Sequence, residues 1–288
     1  MAPEATRRRY VAPSEDDRRA LDAEWAALSR RERDSWRRRA AAHRWVFVIG
    51  CNNSGTTLLY EMLGCHPDVT LLPHEGQYLT RLLPLPSEAG APRVWTERLD
   101  AFRLTEDDTR VDTARLCFDW LRQAEPPIKP TIVEKSPPDA IRARWLQHAF
   151  PGAYFIAIVR NGYAVVEGIR RRQGYPVDRC ARHWELTNRL MLDDAKQLRR
   201  FLLVRYEDLF ERLPDMAAGI GRFLGIDAAA LERVRDLELS VHNMDDATTR
   251  LTDYNRRSLA NLSSADLAAI DAVAGPMLDR LGYERAGA

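Results

Sequence analysis

The sequence predicts an α/β fold, a parallel sheet flanked by helices with an N-terminal helical extension. Three observations carry that expectation. Short continuous apolar runs recur along the chain, as in strands buried on both faces. Helical patterns separate these runs, and such alternation is the signature of a parallel sheet covered by helices. No apolar run in the 288 residues approaches the ~20 needed to span a membrane. No secretory apolar core follows the charged start either, so the chain reads as soluble and cytoplasmic.

Residues 1–44 form the extension and 45–288 the α/β domain. Pro3, Pro13 and the Arg7–Arg9 run suggest a loose start. Ser14-Glu15-Asp16-Asp17 then reads as an N-cap with acids in the first helical turn. Leu21, Trp25 and Leu28 follow at helical spacing, and Arg-rich turns run to Arg39. This predicts one amphipathic helix packed on the domain, with an arm touching an anionic ligand or partner as the alternative. Strands are expected at 45–50, 131–133, 154–159 and 201–204. Helices are expected from near Thr56, over 137–149 behind Ser136, over 179–199 and at the C-terminus. Three prolines make 83–93 a loop.

Forty-three basic side chains stand against 42 acidic ones, a net charge of +1. That balance gives no general attraction to nucleic acid, so an anion must be held by local arrangement. Only Lys129, Lys135 and Lys196 are lysines. The cysteines at 51, 65, 117 and 180 form no C-x-x-C pair, and the six histidines are scattered. Neither zinc nor a disulfide framework is expected, and the chemistry is expected to need no metal.

The sharpest local signal is Gly50-Cys51-Asn52-Asn53-Ser54-Gly55-Thr56-Thr57-Leu58-Leu59. A buried strand ends, a small polar loop turns, and a helix starts with Leu58, Leu59, Met62 and Leu63 on its apolar face. Backbone N–H groups of such a loop converge, and the helix N-terminus adds partial positive charge, so the turn is a P-loop-like anion site. It is not a Walker A motif, because Thr56 stands where the lysine belongs. An ATP-using kinase is therefore the less favoured reading.

Ser54-Gly55-Thr56-Thr57-Leu58-Leu59 resembles the 5′-phosphosulfate loop of sulfotransferases that use 3′-phosphoadenylyl sulfate (PAPS). Cys65-His66-Pro67-Asp68-Val69 is similar to a segment of the tyrosylprotein and bacterial carbohydrate branches. Val133-Glu134-Lys135-Ser136-Pro137 resembles their "EKxP" element, and Ile156–Arg160 the strand ending in the 3′-phosphate arginine. Leu203-Val204-Arg205-Tyr206-Glu207-Asp208-Leu209 resembles "LVRYEDL", with Phe223-Leu224-Gly225-Ile226 after it. The pieces stand in the family's order across about residues 45 to 283.

The resemblance implies sulfuryl transfer from PAPS to a hydroxyl or amine of a small-molecule, glycan or lipid-like acceptor. Adenosine 3′,5′-bisphosphate (PAP) would be the product. It assigns Asn53, Ser54, Gly55, Thr56 and Thr57 to the 5′ end, Arg160 and Arg172 to the 3′-phosphate, Tyr206 to the nucleotide, and Arg256 and Arg257 to a basic flap. Glu75 is its first candidate for the catalytic base and His74 the second; Lys135 is its candidate cation. Two departures stand out: Asn53 where many members carry Lys or Arg, and Gly168 where they carry serine. A catalytically impaired nucleotide-binding homologue is the alternative these departures suggest. The acceptor is expected between 77–112 and 171–182, which carry Tyr78, Trp95, Phe102 and Tyr175.

Overall fold

Five apolar segments pair as β1 (Arg44–Ile49), β2 (Val69–Leu71), β3 (Thr131–Lys135), β4 (Tyr154–Val159) and β5 (Phe201–Arg205). The computed structural model describes residues 12–237, 239–240, 248–249 and 251–286; Pro3 and the Arg7–Arg9 run lie outside them. The strand order is β2-β3-β1-β4-β5, with every neighbouring pair parallel. A short antiparallel pairing joins Leu239–Ser240 to Thr248–Thr249.

The non-alternating runs have the predicted cause. Side chains alternate across a strand, so a strand covered on both faces must be apolar at every position. On one face Trp45, Phe47 and Ile49 of β1 join Phe155, Ala157 and Val159 of β4. On the other, Val46 and Val48 join Ile156 and Ile158. Helices Thr113–Gln123, Gly162–Gln173, Val177–Ala195 and Ser264–Arg280 contribute to the first core. Helices Thr56–Gly64 and Leu213–Leu224 contribute to the second.

The extension is two helices rather than one. Glu15–Ala27 ends at extended Leu28, and Ser29 starts Arg30–Ala41. Ser14 and Ser29 each form a reciprocal capping box, with Asp17 and Glu32. The second box accounts for the break, since it provides a competing helix start. Trp25 and Trp36 pack on Phe118 at 5.2 and 5.1 Å between ring centroids. Further corrections are local. Residues 137–149 divide into a 3-10 segment, Pro137–Ile141, and helix Ala143–Ala149, because two prolines remove backbone donors. A 3-10 turn, Gly76–Tyr78, follows Glu75. β2, buried along its length, is not among the strands expected from the sequence; only its first residue, Val69, belongs to the Cys65–Val69 motif.

The topology places the site. The chain leaves β1 toward β2 and β3 on one side, then returns to β4 and β5 on the other. The order therefore reverses at the C-terminal end of β1, where open parallel sheets bind ligands.

Candidate active site

Each strand end delivers a predicted residue to this edge. β1 runs into the Gly50–Gly55 loop, and Leu72–Glu75 follows β2. Lys135 ends β3 in register with Val48, Arg160 follows β4, and Tyr206 follows β5. Five separate sequence motifs thus meet in one place.

The loop leaves its donors open. Gly55 is the N-cap of helix Thr56–Gly64, with φ 96°, and has no side chain to accept from the first turn. That φ suits glycine. A side chain there is also excluded by space, since an added Cβ would lie 2.5 Å from the Tyr206 ring. Ser54 is fully buried, and its Oγ has no hydrogen-bond partner. Natural helix ends satisfy such groups with caps, water or ligands.

Around the loop stand three guanidinium groups. Arg160 donates from Nη1 to the Asn53 carbonyl (2.9 Å) and from Nε to Asn255 Oδ1 (2.7 Å), and lies over Tyr206 at 4.1 Å. Arg172 donates to Asn53 Oδ1 at 3.1 Å, and Arg93 to the same oxygen at 3.3 Å. Among the described residues these hydrogen bonds go to amide oxygens, none to a carboxylate. Arg160 Nη2, Arg172 Nε, Asn53 Nδ2 and Ser54 Oγ are buried without partners. Burial first, then the charges of Arg93, Arg171 and Arg160, pull the Arg172 pKa down to about 9. A polyanion in this cradle would supply the missing acceptors and relieve the crowding.

The Arg170–Arg172 run resolves by helical geometry. Arg170 pairs with Asp266 at 2.7 Å and Arg171 with Glu167 at 2.9 Å. Arg172, four residues after Gly168 and on the same face, is the member that turns to the loop. Gly168 lies inside helix Gly162–Gln173, where its N–H belongs to the helix ladder. Its role is space. An added Cβ would come 2.8 Å from Asn53 Nδ2, so Asn53 and Gly168 accommodate each other. Gly168→Ala is expected to destabilise the chain by about 1–3 kcal/mol, and much less when Asn53→Gly is already present. Denaturant unfolding of the two single variants and the double variant measures that coupling.

Opposite the arginines, Lys135 Nζ donates to Glu75 Oε1 at 2.9 Å. Lys135 is thus joined to the candidate base, at the end of the strand that also buries Glu134. Gln77 Nε2 holds Glu75 Oε2 at 2.8 Å. Burial raises the Glu75 pKa, but Lys135, by charge and by hydrogen bond, with His74 and Gln77, brings it below the ordinary carboxylate value. Glu75 is therefore ionised near neutrality. His74 Nδ1 accepts the Glu75 backbone N–H at 2.8 Å, which places the neutral ring's proton on Nε2. That tautomer makes Glu75 the better proton acceptor. The next residue is pinned from two sides: Gly76 N–H donates to Glu134 Oε1 at 2.8 Å, and Trp120 Nε1 donates to Gly76 O at 2.9 Å. Burial, then the nearby Asp139 charge, pushes the Glu134 pKa well up.

Some assignments move. Arg256 and Arg257, assigned by the resemblance to a flap, lie exposed on the short helix Asn255–Ala260. Their neighbour Asn255 makes the contact with Arg160. Tyr206 is 2% exposed and packs as a ring against Gly55, Arg160 and Phe210. Trp95 and Phe102 are fully buried core, which removes them from an acceptor surface. Tyr78 is half-buried against His74, and Tyr175 is half-buried under Arg179.

A model of the sulfotransferase family matches residues 46–230, which include the loop, Glu75, Lys135 and every arginine of the cradle. The chain belongs to the sulfotransferase family. Protein-tyrosine sulfotransferase A of Caenorhabditis elegans is 25% identical over 258 residues, covering 83% of this chain and 67% of the worm protein. The protein-tyrosine sulfotransferase of Drosophila melanogaster is 26% identical over 190 residues, 63% of this chain and 38% of the fly protein. Among solved structures, sulfotransferase STF9 from Mycobacterium avium shares the fold, with a TM-score of 0.53 at 15% identity over 94% of this chain and 87% of that one. STF1 from Mycobacterium tuberculosis gives 0.52 at 15% identity, over 90% and 81%.

This sulfotransferase also uses residues to which the sequence assigned no role. Glu207 accepts from Asn161 N–H, Asn255 Nδ2 and Tyr283 OH at 2.9 to 3.0 Å, tying the β4 end, the 255–260 helix and the C-terminal segment together. Arg93 comes from the proline-rich loop. No periodicity marks such a position, so only the fold could reveal it. Among the described residues no group of three metal-ligating side chains is placed to hold a metal. No helix there is long and apolar enough to cross a membrane.

Proposed function

We propose that the chain transfers the sulfuryl group of PAPS to a hydroxyl or amine of an acceptor, releasing PAP. The observation that carries this reading is the set of buried, partnerless donors around an uncapped helix start, edged by three guanidinium groups. The atoms present suit a bisphosphate. Residues 53–57 and the helix start would hold the 5′ end, and Arg160 with Arg172 the 3′-phosphate, as bidentate forks suited to that geometry. The mutual fit of Asn53 and Gly168 favours a functioning site over an impaired one.

Transfer of a trigonal, anionic group asks the protein mainly to align nucleophile and leaving group and to stabilise charge. Glu75 takes the acceptor's proton as its oxygen or nitrogen attacks. Protonation of Glu75 frees the Lys135 ammonium from its carboxylate partner, just as negative charge grows on the leaving oxygen.

That coupling gives a pH prediction. Ionised Glu75 is the active form, and Lys135 holds its pKa below the usual value, so the acid limb of kcat/KM lies below the ordinary carboxylate range. In Lys135→Met only the raising effect of burial opposes the lesser contacts. The acid limb is expected to move to higher pH, together with a loss of rate. An unmoved limb would show that the pair does not control the base.

The activity test is incubation with PAPS and an acceptor panel in the presence of a chelator, following PAP release. The panel includes an acidic tyrosine peptide, because the relatives are named for protein tyrosine, along with a phenol, an alkyl alcohol and an amino sugar. Release with at least one acceptor is expected. Absence of both release and PAP binding would reject the reading.

A further inference from the structure

Asn53 Oδ1 holds two arginines that face different parts of the site. Arg172, whose pKa burial and then the Arg93, Arg171 and Arg160 charges pull down, reaches it from helix Gly162–Gln173, on the side proposed for the 3′-phosphate. Arg93 reaches it from the 83–93 loop; burial lowers its pKa, and the charges of Glu75 and then Tyr78 oppose that shift. Arg93 is therefore hydrogen-bonded to the donor loop and within electrostatic reach of the base.

Its backbone is held there against preference. Arg93 has φ 63°, the left-handed region that non-glycine residues rarely adopt. Such a conformation persists only where the surroundings impose it. Here Val94 and Trp95 are fully buried, Trp95 Nε1 donates to Asn52 Oδ1 at 2.8 Å, and Val94 N–H closes a turn to Ala91 O at 3.1 Å. Two residues of this segment thus grip two consecutive loop residues, Asn52 and Asn53. The loop 53–57 contains no cation of its own, and Lys135 is joined to Glu75.

We propose that Arg93 is a catalytic residue whose guanidinium contacts the sulfuryl group of PAPS and supplies the positive charge that the loop sequence lacks. No bond to Arg93 forms or breaks; it balances charge on the sulfuryl oxygens as the group moves. The inference rests on the PAPS reading above and adds a residue to it.

The test compares two nucleotides that differ by the sulfuryl group. Calorimetric titration with PAPS and with PAP is performed on the unaltered chain, Arg93→Gly and Arg93→Lys. Glycine adopts the left-handed backbone freely, so Arg93→Gly should keep its melting temperature while losing the guanidinium. Loss of one charge-assisted contact should weaken PAPS about 10–100-fold and leave PAP within about threefold. Arg93→Lys should recover part of the PAPS loss, and it gives the same comparison should the glycine variant fold poorly. Equal weakening of both nucleotides would make Arg93 a phosphate contact, and no weakening of either would make it structural or acceptor-facing; either result overturns the proposal. If the unaltered chain binds neither nucleotide, the PAPS reading itself fails.

Discussion

Glu75→Gln is expected to lower kcat by about 10²–10⁴-fold, the usual contribution of a positioned general base. Glutamine keeps the volume and can still meet Gln77, but it cannot take a proton. Because Glu75 contacts Lys135 and Gln77, while the nucleotide cradle is built from Asn53, Arg160 and Arg172, PAP affinity should stay nearly constant. The variant has no ionisable carboxyl at this position, so the residual rate should lose the acid limb altogether. A Glu75→Gln enzyme with unaltered kcat would pass the role to another group. His74 is the nearest candidate, and it would first have to release its backbone hydrogen bond.

Arg160→Ala acts on the other half of the site. The guanidinium is joined to Asn53, Asn255 and the Tyr206 face, yet keeps one buried nitrogen unpartnered. Removing a charged partner of this kind should cost about 2–5 kcal/mol in PAP binding. The loss should fall on PAP and spare adenosine 5′-monophosphate, which has no 3′-phosphate. Equal losses for both nucleotides would mean that Arg160 organises the Asn53 loop instead of reading the 3′ end. Unchanged affinity for both would remove it from the nucleotide site.

The parallel sheet was legible because two-sided burial writes itself into the strand sequences, as in Trp45–Ile49. The loop at 50–59 was legible because its glycines and hydroxyls are local requirements. Other features depend on contacts between distant segments. Arg93 meets Asn53 across 40 positions, and Asn255 meets Arg160 across 95, so neither leaves a pattern in its own neighbourhood. The relation between Gly168 and Asn53 is of the same kind: two departures that look independent along the chain share one volume in space. The break of the first helix at Leu28, by contrast, was written in Ser29 and Glu32 and was overridden by the longer apolar pattern. Lys135, one of only three lysines in the sequence, ends β3 in an ion pair with the Glu75 carboxylate.

The central claim is that the switch-point cradle at the end of β1 is built for a nucleotide carrying both 5′- and 3′-phosphates. Calorimetric titration of the unaltered chain with PAP, in chelator and without magnesium, tests it most directly. One PAP per chain is expected, bound at least about tenfold more tightly than adenosine 5′-monophosphate, a difference of about 1.4 kcal/mol or more. No binding of PAP, or binding no tighter than the monophosphate, would contradict it.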